Sequence, residues 1–266
     1  VINLIPSPLP DLFEGDQLVL LGQYLGEEPL TFRLHGNFLG KKKSFLFPFQ
    51  FNKTSTRNAF VPRLWASRKI AFLVEQIRQL GADSLPAPEK IQNATKLQEL
   101  LNEVLRLSSE FGILSEYTAF LAREGTNLSE KNKILEEAGR NFVNRAWHCR
   151  SGWGSVNQEL NNQFQKKQSY LNYKNIYLDE QMNEVTISHI QQIQDRTFYQ
   201  RKDCWIDSRI LEKYPKLQPT RIIPFASEAY YQLALRLAQE GRSGCLAFQG
   251  DILLLVDGDL ILVDCP

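Results

Sequence analysis

The sequence predicts an α+β protein built from several units, and three observations carry that prediction. Apolar and polar residues alternate through runs between Val1 and Phe60. From Val61 to about Arg145, apolar residues recur at helical spacing instead. The stretch Glu184–Pro266 then joins one capped helix to a hairpin centred on Asp257-Gly258. The expected division is an antiparallel β-meander (part of a sandwich) over residues 1–60 and a helical subdomain over 61–147. A linker strap over 148–183 and a small α+β unit over 184–266 complete it.

The β passage begins with the turn-rich, proline-punctuated stretch LPDLFEGDQLVLLGQY and an apolar run at Gln17–Tyr24. Leu30, Phe32, Leu34 and Phe38 then share one face of a second strand, and Phe45, Phe47, Phe49 and Phe51 line a third over Ser44–Phe51. Pro48 on the opposite face of that strand suits an edge or a bulge. A face so rich in Phe requires a cover, from downstream helices or from further strands. Three strands do not close a sandwich, so the expectation is that this sequence is the tail of a larger architecture.

In the helical passage, Leu64, Ile70, Leu73, Val74, Ile77 and Leu80 mark a first helix that Gly81 is expected to stop. A loop with Pro86 and Pro88 leads to a second helix, Thr95–Phe111, ended by Gly112. The segment ILSEYTAFLARE reads as a short strand or extended connection, and Asn127 or Ser129 as the cap of a third helix running to about Trp147. The Gln-, Asn-, Ser- and Tyr-rich stretch His148–Asn183 shows little periodicity and reads as a solvated strap. In the last unit, Thr197–Tyr199 and Cys204–Ile206 flank a tight turn, Ser227 caps a helix to about Glu240, and ILLLVDGDLILV forms the closing hairpin.

Composition excludes several classes. With 43% hydrophobic and 11% aromatic residues the chain buries real cores. A net charge of +1, from 31 basic and 30 acidic residues, argues against a nucleic-acid binder. The one basic run, Lys41–Lys43, reads as a hairpin turn. No apolar stretch reaches the ~18 residues that span a membrane. Cys149, Cys204, Cys245 and Cys265 are scattered without metal-ligand spacing and read as free thiols rather than disulfides. Asn52, Asn93 and Asn127 open Asn-x-Ser/Thr triplets, which carry meaning only in a secretory setting.

The remaining polar residues carry no catalytic signature. GNFLGKKKS, Gly36–Ser44, has the wrong glycine spacing for a phosphate loop and leads into a strand rather than a helix. Of His35, His148 and His189, only His148 neighbours a cysteine, and adjacent side chains rarely face each other. Asp203, Asp207, Asp251, Asp257 and Asp259 read as turn formers before they read as a calcium or sugar site. The sequence therefore assigns no catalytic residue, metal ligand or cofactor. Its binding candidates are the aromatics of the last unit: Phe198, Tyr199, Trp205, Tyr230 and Tyr231, with Tyr214 nearby.

The segments PLPDLFEGDQLVLLGQY, RLWASRKIAFLVEQIR and EVLRLSSEFGILSEYTAFLARE resemble the region that follows the VWA domain in VIT/VWA proteins. These are relatives of inter-α-trypsin inhibitor heavy chains. SGWGSVNQEL resembles that family's short connector, and TFYQRKDCWIDS, PFASEAYYQLALRLAQEG and DILLLVDGDLILVD are similar to the C-terminal unit of its bacterial members. The family's metal-binding motif, Asp-x-Ser-x-Ser, does not occur here, so the resemblance transfers no metal ligand. It implies a non-enzymatic scaffold or protein–protein interaction region, in an extracytoplasmic or cell-surface setting. The implied partners are another protein or the VIT and VWA domains of a parent chain. The alternatives are a hydrolase using a Cys/His pair from the second half and a glycan- or matrix-binding module.

Overall fold

Alternation over Leu30–Phe38 (β3) and Lys41–Phe49 (β4) produces a regular antiparallel hairpin that turns at Leu39-Gly40. The structure, a computed structural model, describes residues 1–26, 28–50, 58–83, 95–214 and 216–265. It divides into two compact units, Val1–Ser55 and Thr56–Pro266. In the first, Ile2–Ile5 (β1) pairs with Leu21–Gln23 (β2) as a sheet of its own. The expected three-stranded meander is thus two separate two-stranded sheets, because β2 spends its ladder on β1 rather than on β3.

The hairpin register sets Leu30 opposite Phe49, Phe32 opposite Phe47 and Leu34 opposite Phe45. The expected Phe ladder therefore exists, with Phe32 and Phe49 meeting edge to face at 5.5 Å. Among the described residues of this unit nothing buries it: Phe45, Phe47 and Phe49 are exposed. Phe51, Asn52, Asn93 and the Pro86–Pro88 loop lie outside the described residues. Lys41–Lys43 start β4 rather than forming the turn, and no helix follows Gly36–Ser44, which removes the phosphate-loop geometry.

The second unit opens with helix α1, Phe60–Asp83, which runs through Gly81 instead of stopping there. A Cβ on Gly81 would lie 2.2 Å from Cδ1 of Trp147, so the glycine serves close approach rather than termination. The Trp147 indole donates to the carbonyl of Ile77 at 2.8 Å across that contact. Helix α2, Thr95–Phe111, has the predicted bounds, and Gly112 leaves it at φ +63°. The next segment is a buried 3₁₀ turn, Ala119–Ala122, not a strand. Ser115 and Thr118 turn the chain there: the Ala119 amide donates to Ser115 at 2.9 Å and the Leu121 amide to Thr118 at 3.0 Å. Helix α3, Lys131–Phe142, continues as a π-helical turn over Val143–His148. It starts beyond the expected caps because Asn127 Oδ1 accepts from the Ser129 amide in a turn of its own.

The expected strap contains a helix, α4, over Gly152–Lys167. A short pair, Tyr177–Leu178 (β5) with Glu184–Val185 (β6), follows. The rest forms one mixed sheet of Ile190–Ile193 (β7), Arg196–Arg201 (β8), Cys204–Asp207 (β9), Arg221–Pro224 (β10), Asp251–Val256 (β11) and Asp259–Asp264 (β12), ordered β10-β12-β11-β9-β8-β7. Helix α5, Glu228–Gln239, is capped by Ser227 Oγ, which accepts from the Tyr230 amide. The β8–β9 and β11–β12 hairpins stand where the sequence places them. The β9–β11 and β10–β12 pairings are parallel and join residues far apart in the chain.

Both faces of this sheet are covered. Phe198, Trp205, Ile252 and Leu254 pack with Leu233 and Leu237 of α5. On the opposite face, Tyr199 donates to the carbonyls of Ser108 and Ser109 at the end of α2. Arg201 donates to the carbonyls of Leu121 and Ala122, and buried Arg63 of α1 to those of Gln194 and Arg196. Helices and sheet thus belong to one unit, and the divisions expected at 147 and 183 separate nothing compact.

Candidate functional site

Helix α4 is built inside out. Its inward residues are Asn157, Gln158, Asn161 and Asn162, all buried. Buried amides are costly unless their hydrogen bonds are met. Asn157 Nδ2, Gln158 and Asn161 find partners, mostly backbone, while Asn157 Oδ1 and both amide atoms of Asn162 have none among the described residues. Asn157 Nδ2 donates to the carbonyls of Leu178 (3.1 Å) and Asp179 (2.9 Å). Asn161 clasps Leu178 in both directions, accepting its amide at 2.8 Å and donating to its carbonyl at 2.9 Å. Gln158 accepts the Tyr117 hydroxyl at 2.6 Å and donates to the carbonyls of Arg145, Cys149 and Gly154. Tyr117 in turn stacks on Phe142 at 4.3 Å. Glu116 lies in this polar layer, and burial pushes its carboxyl up to about 7 against the pull of Asn161, Arg145 and Arg78.

The outward residues are apolar. Trp153 (72% exposed), Val156, Leu160 and Phe164 (73%) follow one another at steps of three and four along the helix. At 100° per residue they fall within about 80° of arc, a narrow seam running about 16 Å along the axis. Ion pairs border it on the α1 side: Arg78–Glu159 at 2.8 Å and Lys166–Glu75 at 2.6 Å. Its ends carry Arg150 and Lys167, both exposed and, among the described residues, in no ion pair. Tyr170 and Tyr173, just past the helix, are also exposed.

The sequence candidates are distributed otherwise. Phe198 and Tyr199 have no exposed surface and Trp205 very little, so these three are core. Phe198 and Trp205 both pack on Phe248, at 4.8 and 4.6 Å between ring centres. Tyr230 is half-buried and Tyr231 exposed, and with Phe225 they form a small surface group beside Ser227. Tyr214 is half-buried. The turn reading of the aspartates holds for Asp203 and Asp257. Asp207 also caps a turn, its Oδ1 accepting from the Arg209 amide at 3.0 Å, and it is fully buried between Arg196 (2.9 Å) and Arg209 (2.6 Å).

Among the described residues no cysteine is hydrogen-bonded to a histidine, the pair the hydrolase alternative would use. All four cysteines are free, and burial pushes the Cys204 thiol up to about 11 and the Cys245 thiol to about 12, away from thiolate chemistry. Among the described residues no histidine side chain enters a hydrogen bond or ion pair, and no three His, Cys, Asp or Glu side chains gather as a metal site would. A crevice of about 290 Å³, open mouth included, is lined by Arg63, Ser67, Gln168, Asn175 and Gln192 among others. Arg63 Nε, Asn175 Nδ2 and Gln192 Oε1 lack partners there but also lack accessible surface, so no solute reaches them. No helix among the described residues is long and apolar enough to cross a membrane.

Comparison with protein-family models, curated proteins and solved structures returns no match.

Proposed function

We propose that this chain is a non-enzymatic interaction region that docks a protein partner on the outward seam of α4, within a scaffold of the VIT/VWA type. The seam carries the reading. A helix that turns amides inward and Trp153, Val156, Leu160 and Phe164 outward exposes the residues most costly to leave in water. Exposed Trp and Phe on a rigid, ion-paired helix are typical anchors of protein interfaces. The VIT/VWA assignment is supported by the order of the sequence segments quoted above.

The test is site-specific. A photo-crosslinking residue replacing Leu160, in the protein expressed in its own host, is expected to give one discrete covalent adduct. The same residue replacing exposed Lys213 is expected to give none. Absence of an adduct at Leu160, or equal labelling at both positions, sinks the reading.

A further inference from the structure

We infer that the occupant of the α4 seam is an amphipathic helix of another protein, apolar along one edge and acidic on its flanks; this rests on the interaction reading above. The width of the seam is the first reason. An arc of about 80° matches the a/d seam of a helix–helix contact, whereas a helix lying in a lipid surface presents a broader apolar face. Trp153, Val156 and Leu160 take the a, d and a positions of a heptad, with Phe164 beside the next d. The Arg78–Glu159 pair stands directly beside these residues, where a lipid surface would have to accommodate it.

Charge gives the second reason and separates a foreign helix from a second copy of this chain. A two-fold antiparallel pairing that sets Trp153 against Phe164 of the other copy also brings its Lys167 to the end of α4 that Arg150 precedes. Symmetry repeats that like-charge approach at the other end. Like charges facing each other across a helix pair are destabilising. Glu159, Glu75, Arg78 and Lys166 neutralise one another, so the residual charge bordering the seam is the positive pair at its ends. Acidic flanks answer it.

Area is the third reason. The exposed parts of the four side chains present on the order of 400 Å² of apolar surface, about half of what each partner buries in a standard stable complex. This fits reversible docking in the micromolar range better than an obligate dimer.

The full chain can be titrated with two synthetic 21-residue helical peptides, both with Leu at a and d, one with Glu and the other with Lys at e and g. The Glu peptide is expected to bind at micromolar concentration and the Lys peptide at least tenfold more weakly. Phe164→Ser is expected to weaken the Glu peptide about thirtyfold. Replacing both Arg150→Glu and Lys167→Glu is expected to reverse the ranking of the peptides, which a merely sticky patch would not do. Equal affinity for both peptides overturns the acidic helix, as does indifference to Phe164→Ser. So does displacement of the peptide by phosphatidylserine vesicles, or a self-association in sedimentation that Phe164→Ser abolishes. A Leu160 adduct with neither peptide bound removes the acidic helix and leaves the interaction reading standing; loss of both removes both.

Discussion

At the scale of single residues, Gly81 and Glu116 show how position overrides type. A glycine after a helical run reads as a stop, yet Gly81 lies inside α1 because Trp147 occupies the space a Cβ would fill. Gly81→Ala is therefore expected to destabilise the fold by about 1–3 kcal/mol, the usual cost of overpacking, although alanine is the better helix former. Urea denaturation decides it, and a neutral or stabilising result would show that the ring moves freely. Glu116 makes the complementary case. Its folded pKa, about 7, is raised from the ordinary 4.5 by burial, so the fold holds a proton that the unfolded chain releases. The contribution to stability is complete below about pH 4.5 and is lost as pH rises through about 7. Glu116→Gln stays neutral, so the variant should gain on the parent by up to about 3 kcal/mol between those limits. Melting curves from pH 4 to 8 measure this, and parallel pH profiles for the two proteins would contradict it.

At the scale of elements, what could be read from sequence depended on whether the apolar side of an element faced inward. Helix α2 was legible to the residue because Leu97, Leu101, Val104 and Leu105 form its buried stripe and Gly112 ends it. Helix α4 has an equally regular stripe, Trp153, Val156, Leu160 and Phe164, but its buried side is Asn157, Gln158, Asn161 and Asn162. Amide-rich composition therefore reads as a solvated strap, and the spacing of the four apolar residues was the signal that would have located both the helix and the seam. The aromatic candidates fail for the converse reason. Phe198 and Trp205 alternate with Tyr199 and Ile206 on a sheet buried on both faces, so neither side was available to a partner. The inversion in α4 predicts inverted mutational behaviour. Gln158→Leu leaves the buried Tyr117 hydroxyl without its acceptor and removes the amide donor shared by the carbonyls of Arg145, Cys149 and Gly154, and is expected to cost about 2–4 kcal/mol. Trp153→Ser removes an exposed ring and is expected to change stability by less than about 0.5 kcal/mol. Chemical denaturation of both variants tests the pair, and a larger loss for Trp153→Ser would mean that the seam is internally packed.

At the scale of the whole molecule, local pairings were legible and distant ones were not. The β11–β12 hairpin follows from the Asp257-Gly258 turn, and β8–β9 from the tight turn between Arg201 and Cys204. The parallel pairings of β9 with β11 and β10 with β12 carry no local signature, because any apolar run fits either neighbour. They make one sheet of segments that sequence reasoning left as hairpins. That sheet accepts Tyr199, Arg201 and Arg63 as ties to the helices, so the helical and C-terminal parts are one unit. The first unit differs in kind. None of its described residues is buried, and its sheets have two strands each. Two-stranded sheets without a covered apolar face are marginal in water. A chain of residues 56–266 alone should therefore keep a single cooperative thermal transition within a few degrees of the full protein's. A chain of residues 1–55 alone should show none. Calorimetry of the three forms gives the answer: a cooperative melt for residues 1–55 would mean that the hairpin's Phe ladder is stable by itself. Loss of cooperativity in residues 56–266 would mean that the second unit depends on the first.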